Sequence, residues 1–484
     1  MSDLIDALTE LREARADYEQ ARAYYEGQVE EQFPSAFMRR LLGRDGKTPF
    51  RVNLACRAVD AVMDRLEISG LTTGFDELDQ VLEERVWRAN RLDLEAPQIH
   101  LATLMFGDSY AFVWPSEPVD HTDDPEPEPD GEYDDTGAAG VDVFYNSPLT
   151  VRILYEEENP RRKRLAVKSW MVGRDQQTAR TRVNLYYPDR IEKYISKPGS
   201  KGDKDEDFEP YIDDSTDRHG VVANPWGEIP VFHFRTSAPY GRPEHINAYG
   251  PQDALTKLVI NQMAASDFAA FPQRYGLTEA NATTDDDIDW GETDTEDPEE
   301  KESSLVASPG SLWVLRNYKA VGEFAPADVE NFLRPMSVYV RFMAATTSTP
   351  MRWFDPSGDV PSGESVRADD APLVKKVNNR QRWIAATWGE VGTFSLKILG
   401  YENVPVSVRW TPPQIISDLE GWQTILAKQD AGVPIRTTLL EAGYTDAEVT
   451  SWGYTLDQPN GPGGARELPP ELQVQFAALS KEAE

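Results

Sequence analysis

Apolar residues recur at helical spacing along much of the chain. Leu4, Leu8, Leu11, Tyr18 and Tyr25 form one stripe over residues 2–26, which predicts a largely polar helix closed by Gly27. Val52, Cys56, Val59, Met63 and Leu66 predict a second, amphipathic helix over 52–67. Two more helices are expected at 76–90 and 93–106. The pattern then changes period: Ser109-Tyr110-Ala111-Phe112-Val113-Trp114 reads as a strand, and strand-like runs recur at 141–154, 165–172, 182–195 and 229–235. The first half is therefore mixed α and β.

The second half is more helical. Residues 251–271 place Leu255, Leu258, Val259, Met263, Phe268 and Phe271 among small alanines. Residues 326–345 gather Val329, Phe332, Leu333, Met336, Val340 and Met343 on one face, with Pro326 suited to the first turn and Pro335 expected to kink the helix. Between them lies a β-containing excursion that includes Ser311-Leu312-Trp313-Val314-Leu315. A loop with three prolines and a glycine follows (349–362), with Ser362 able to cap a long helix over 363–399, bent at Pro372 and stopped by Gly400. At ~1.5 Å per residue that helix reaches roughly 55 Å. A strand is expected from Val404 to Trp410. The C-terminal part from 412 reads as compact helices: one striped by Ile416, Leu419, Trp422 and Leu426, one from Pro434 to Gly443, and one opened by the capping box Thr445-Asp446-Ala447-Glu448. Gly461-Pro462-Gly463-Gly464 is a linker and Pro469–Leu479 a last short helix. The class is α+β, multi-module.

Three acidic stretches interrupt this pattern, at 120–135, 203–217 and 279–302, and are expected to be solvated loops or tips. They contribute to a net charge of −34 over 484 residues. That charge argues against tight nucleic-acid binding through a basic face, yet not against loose passage of a polyanion, because each neutralised phosphate adds grip. Hydrophobic residues make up 40%, enough for packed cores, and no apolar run reaches the ~18–20 residues of a bilayer span. The N-terminus lacks the basic start and apolar run of a secretory signal. The single cysteine, Cys56, excludes an internal disulfide framework and fits a reducing cytoplasm.

Motifs that imitate chemistry fail on spacing. Gly46-Lys47-Thr48 resembles the end of a phosphate-binding loop, but Leu41 stands where a glycine is needed and Pro49 opposes the following helix. Asp285, Asp287, Asp289 and Glu296 resemble a calcium loop, but Trp290 occupies the sharp turn and Gly291 comes one place late. The five histidines show no ligand spacing; His233, in Val231-Phe232-His233-Phe234, reads as a satisfied strand histidine. No catalytic residue, metal or cofactor is expected.

An ordered set of segments carries a resemblance. It comprises Tyr24-Tyr25-Glu26-Gly27, Asn53 through Leu66 with Gly70, Phe106-Gly107-Asp108-Ser109-Tyr110-Ala111-Phe112-Val113, and Ile229-Pro230-Val231-Phe232-His233-Phe234. The strongest stretch runs from Ala344-Ala345-Thr346-Thr347-Ser348-Thr349-Pro350 to Ser362-Gly363-Glu364-Ser365-Val366-Arg367. In this order the segments resemble the portal proteins of siphoviruses that infect Gram-positive bacteria.

The resemblance implies a ring, usually of twelve subunits, at one capsid vertex, through which double-stranded DNA is packaged, retained and ejected. It implies a wing (1–245), stem helices (246–271 and 326–348), a clip (272–325), a tunnel loop (349–362), a long helix with a wing strand (363–411) and a crown with a C-terminal tail (412–484). Arg352, Trp353, Phe354, Lys375 and Lys376 are the expected channel residues. Leu258, Phe268, Leu333, Met336 and Val340 are the expected subunit interface, since the chain offers no bundle large enough to bury the stem helices. The implied partners are further copies of the chain, double-stranded DNA passing non-specifically, the terminase large subunit, the head–tail connector, and the major capsid and scaffolding proteins, with no membrane. The virion and, during assembly, the host cytoplasm are the implied locations. The competing readings are another virion structural protein, such as a head–tail adaptor or minor head protein, and an acidic-surface hydrolase.

Overall fold

A computed structural model describes residues 3–28, 52–116, 140–173, 179–200, 202–213, 215–270, 274–277, 320–323, 330–354, 363–414, 418–442, 444, 446–455 and 459–460. In chain order the elements are α1 (Asp3–Glu26), α2 (Arg57–Met63), β1 (Ile68–Thr72), α3 (Asp76–Val81), a π-helical turn (Leu82–Arg88), α4 (Leu92–Phe106), β2 (Asp108–Pro115), β3 (Val141–Asn146), β4 (Val151–Tyr155), β5 (Lys163–Val172), β6 (Arg180–Tyr186), β7 (Arg190–Ser196), β8 (Phe208–Pro210), β9 (Val221–Ala223) and β10 (Val231–Arg235). They continue with α5 (Tyr249–Ala270), β11 (Arg274–Leu277), β12 (Ala320–Glu323), α6 (Glu330–Thr347), α7 (Gly363–Ile398), β13 (Ser407–Trp410), α8 (Asp418–Asp430), α9 (Ile435–Glu441) and α10 (Asp446–Ser451). The chain is thus mixed α and β, in two compact units. One comprises Met1–Val29, Asn53–Tyr249 and Ala344–Glu484; the other comprises Glu30–Val52 and Gly250–Met343.

The larger unit is layered, and strand alternation explains how. In β2, Ala111 and Val113 face a core shared with α4 and α7, while Tyr110 and Phe112 face β4 and β5. In β5, Ala166 faces β2, while Leu165 and Val167 face Leu4, Leu8 and Leu11 of α1. The order is therefore α1, then an antiparallel sheet β4-β5-β6-β7-β8 with β9 also on β7, then the sheet β10-β2-β3, then α4 and α7. The compact helices α8–α10 keep a core of their own around Trp422, Ile435, Leu439 and Val449.

Several elements depart from the sequence expectation for identifiable reasons. The helix expected over 52–67 shrinks to α2 because Asn53 accepts from the Ala55 N–H (3.2 Å) and donates to the Tyr25 carbonyl (2.8 Å), fixing a turn first. The helix expected over 76–90 widens at Leu82–Arg88, where Arg88 reaches Glu83 five residues back (2.9 Å) and Trp87 meets Trp388. Within the expected loop 203–217 most described residues are exposed, but Phe208–Pro210 form a short edge strand on β7 with Phe208 buried, and Asp213 is held by Lys193 (2.8 Å) and Arg182 (3.5 Å). Strand β1, absent from the sequence reading, pairs antiparallel with β13. Helix α6 runs through Pro335 and α7 through Pro372.

In the smaller unit, β11 and β12 form an antiparallel pair, and they lie between α5 and α6 in sequence. On α6, Leu333 is 50% and Phe342 54% exposed, with Val338 also exposed. The acidic stretches 120–135 and 279–302, the segment 311–315, the Gly46-Lys47-Thr48 and Asp285–Glu296 motifs, loop residues 355–362, Phe268's side chain and residues 469–479 lie outside the described residues.

Candidate functional site: a helix tied down on one side and basic on the other

Four of the segments that carry the resemblance meet in pairs: Tyr24–Gly27 with the Asn53–Leu66 segment, and Phe106–Val113 with Ile229–Phe234. Gly27 closes α1 in the left-handed region (φ +67°), and a side chain there would press on Asn53. Tyr25 donates to Asp60 (3.1 Å), and Tyr24 stacks on Tyr249 with ring centres 3.8 Å apart. Gly107 ends α4 at φ +91°, where a Cβ would lie 2.6 Å from the backbone of Gly241 and Arg242. That turn delivers Asp108 into the interior. Its carboxylate accepts from Tyr18 Oη (2.7 Å) and the Gly241 N–H (2.7 Å) and pairs with His233 Nε2 (2.8 Å).

This network is closed. His233 Nδ1 meets Tyr155 Oη at 2.7 Å. Burial lowers the His233 pKa, which keeps the imidazole neutral at pH 7, with Nε2–H donating to Asp108 and Tyr155 donating to Nδ1. The donors around Asp108 outweigh the cost of its burial and hold its carboxyl below the usual range. Asp108 and His233 are both almost fully enclosed, so the arrangement fastens α1, β2, β4 and β10 to one another rather than offering a reactive group to solvent. Only His233 of this network was legible as a structural histidine; Asp108 gave no signal beyond its place in the Phe106–Val113 segment.

Helix α7 is tied down at Asp370, Lys376, Arg380 and Trp388. Asp370, almost fully buried, pairs with Arg65 (2.9 Å) and with Arg352. Lys376 donates to the Thr347 carbonyl (2.6 Å) and pairs with Glu244 (2.8 Å), which also takes Arg380 (2.7 Å). Burial would raise the Glu244 pKa, but the two cations outweigh it and lower it. Trp388 is fully buried, and Gly389 and Gly392 let Val406 lie directly on the helix.

The opposite face of α7 carries Arg367, Ala371, Val374, Lys375, Asn378 and Arg382, spaced so that they share one side. With α8 and Val433 this face forms a groove of about 1160 Å³. Among the described residues its cations are Arg367, Lys375, Arg382 and Lys428, and its one acid is Asp370, held by two arginines.

The expected channel residues fall in different settings. Arg352 pairs with Asp369 (3.6 Å) and Asp370, Trp353 packs against the main core, and Phe354 is buried. Lys376 is committed to Glu244, while Lys375 is exposed in the groove. Of the expected interface residues, Leu333 is exposed, and Leu258, Met336 and Val340 are half-buried. Among the described residues no group of acids, histidines or cysteine is placed to hold a metal, and no helix is long and apolar enough to cross a membrane.

Comparison with known proteins bears on this arrangement. No family profile matches the chain. Over 412 residues, 81% of this chain, it is 24% identical to the portal protein of Mycobacterium phage D29 and 22% identical to that of Mycobacterium phage L5, covering 75% of each. The chain is similar to phage portal proteins. The likeness spans most of the chain rather than one module, and it suggests a phage portal role.

Proposed function

We propose that the chain is the subunit of a phage portal, a non-enzymatic ring, usually of twelve copies in that family, through which double-stranded DNA enters and leaves the capsid. The observation that carries this reading is the similarity to two portal proteins over 81% of the chain. The apolar side chains that α6 exposes, Leu333, Val338 and Phe342, support assembly, because neighbouring copies would bury them. In this reading the larger unit supplies wing and crown, α5 and α6 the stem, the segment between them the clip, and 349–362 the tunnel loop. Arg352, Trp353, Phe354 and Lys376 make intrachain contacts and Lys375 lines the groove beside α8, so the remainder of the loop is the stronger candidate for touching DNA. The terminase large subunit, the head–tail connector and the capsid and scaffolding proteins are the proposed partners.

Native mass spectrometry tests the assembly. Twelve copies of a 54.4 kDa chain give about 653 kDa. Leu333→Asp should abolish the ring while far-UV helicity survives, because Leu333 is already exposed in the single chain. A parent that remains at 54.4 kDa under assembly conditions, or Leu333→Asp rings as stable as the parent's, would count against the proposal.

A further inference from the structure

We propose that the basic groove between α7 and α8 is the docking site of the chain's own C-terminal tail, residues 461–484. The groove is chemically out of keeping with the rest of the molecule. In a chain of net charge −34, it presents Arg367, Lys375, Arg382 and Lys428 around an apolar floor of Ala371, Val374, Ala427 and Val433. Lys428 also meets Glu441, which is about half exposed and lies outside the groove. Such a surface suits an amphipathic segment with acidic flanks.

The tail has that composition. Leu472, Phe476, Leu479 and Ala483 recur at helical spacing, and Glu467, Glu471, Glu482 and Glu484 outnumber Arg466 and Lys481. Placement supplies the second argument. The last described residues stand at the groove's end: the Arg436 N–H donates to the Pro459 carbonyl (2.9 Å), and the Ile435 N–H donates to Asn460 Oδ1 (3.3 Å). Val433, two residues before Ile435, lines the groove. The chain therefore leaves the described fold beside the surface it would cover.

The dimensions agree. From Arg367 to Arg382 the α7 wall runs about 22 Å, and an 11-residue helix over 469–479 would measure about 16 Å. Nine residues from Asn460 to Pro469 can span up to about 30 Å, so the tether reaches any point of the groove. A tether of this length gives an effective concentration on the order of millimolar, so a contact with an intrinsic Kd of ~0.1 mM would keep the groove mostly filled. Held there, the tail would brace α8 against the long helix.

Hydrogen exchange on the full chain tests this. In the parent, amides of 469–479 should exchange at least about tenfold more slowly than an unstructured peptide, and raised salt should reduce the protection. The exposed double variant Lys375→Glu/Arg382→Glu should lose that protection while α7 and the β-sheets keep theirs. A second arm replaces Cys56 with serine and introduces Thr424→Cys and Ser480→Cys. A short bis-maleimide linker should then join the two within one chain. Unprotected 469–479 amides in the parent, protection unchanged by the double charge reversal, or an adduct formed only between chains would each overturn the proposal. None of these readouts depends on ring formation or DNA, so the result stands apart from the portal reading.

Discussion

Trp388 donates its indole N–H to Nε2 of His100 at 2.9 Å, in a part of the core where both side chains are almost fully buried. The bond fixes His100 as the neutral tautomer with its proton on Nδ1. It also joins α7 to α4 at the centre of the larger unit. Protonating His100 would place a cation against an N–H donor in an apolar setting.

The chain's stability should therefore fall as pH drops from about 6.5 towards 4. Burial lowers the pKa of His100, and of His245, to about 4, from 6.5. In that window the unfolded chain takes up protons that the folded chain resists, so each histidine contributes stability above pH 6.5 and loses it on acidification. The loss is on the order of 3 kcal/mol per group by pH 4. Urea midpoints measured across this range, in the parent and in His100→Gln, check it: the variant should show a shallower pH dependence.

Replacing Glu244 by glutamine should destabilise the chain strongly. The substitution leaves Lys376 and Arg380 without their shared anion. Removing one member of a buried ion group costs ~3–5 kcal/mol, and the partial exposure of both cations puts this case at the lower end. A lowered denaturant midpoint with an unchanged slope is the expected result. The wild-type contribution of Glu244 should itself fade in acid, as pH drops through its lowered folded-state pKa.

Gly107→Ala should cost more than an ordinary helix-end substitution. The backbone conformation alone penalises a side chain by about 1–3 kcal/mol. The added Cβ would also overlap the backbone at Gly241, which cannot yield without pulling its N–H away from Asp108. Thermal unfolding of Gly107→Ala beside Gly400→Ala separates the two effects, since Gly400 has positive φ but open space.

Arg352→Glu and Lys375→Glu should behave differently. The first places a third acid beside Asp369 and Asp370 and should lower stability; the second lies on an exposed surface and should leave it within about 0.5 kcal/mol. Urea midpoints of the two variants beside the parent check this: equal losses in both would mean that Arg352 is not held by the acids of α7.

The long helix was legible from the stop at Gly400 and the loop of prolines before it; it runs from Gly363 to Ile398. Short apolar and aromatic runs likewise revealed β2 and β10, which are buried along most of their length. The strand Ile68–Thr72 was not legible, because five residues containing Ser69 and Gly70 carry no alternation and gain their partner only from Ser407–Trp410. The edge strand at Phe208 was hidden by the acids around it, whose partners Arg12, Lys193, Arg182 and Arg180 come from distant positions. Charge runs reveal composition, not pairing. The same limit applied to the bases of α7: the sequence showed a locally basic helix, but not that Lys376 and Arg380 turn to Glu244 while Lys375 and Arg382 turn outward.

Helix α7 is 36 residues long, about 54 Å, and it is fastened near Asp370, at Lys376 and Arg380, at Trp388 and at Lys397. A rod pinned at so many stations cannot bend locally without breaking an ion pair or uncovering the core. The helix works mechanically as a spar: it holds Arg352 at one end and Val406, at the entrance to β13, at a fixed separation.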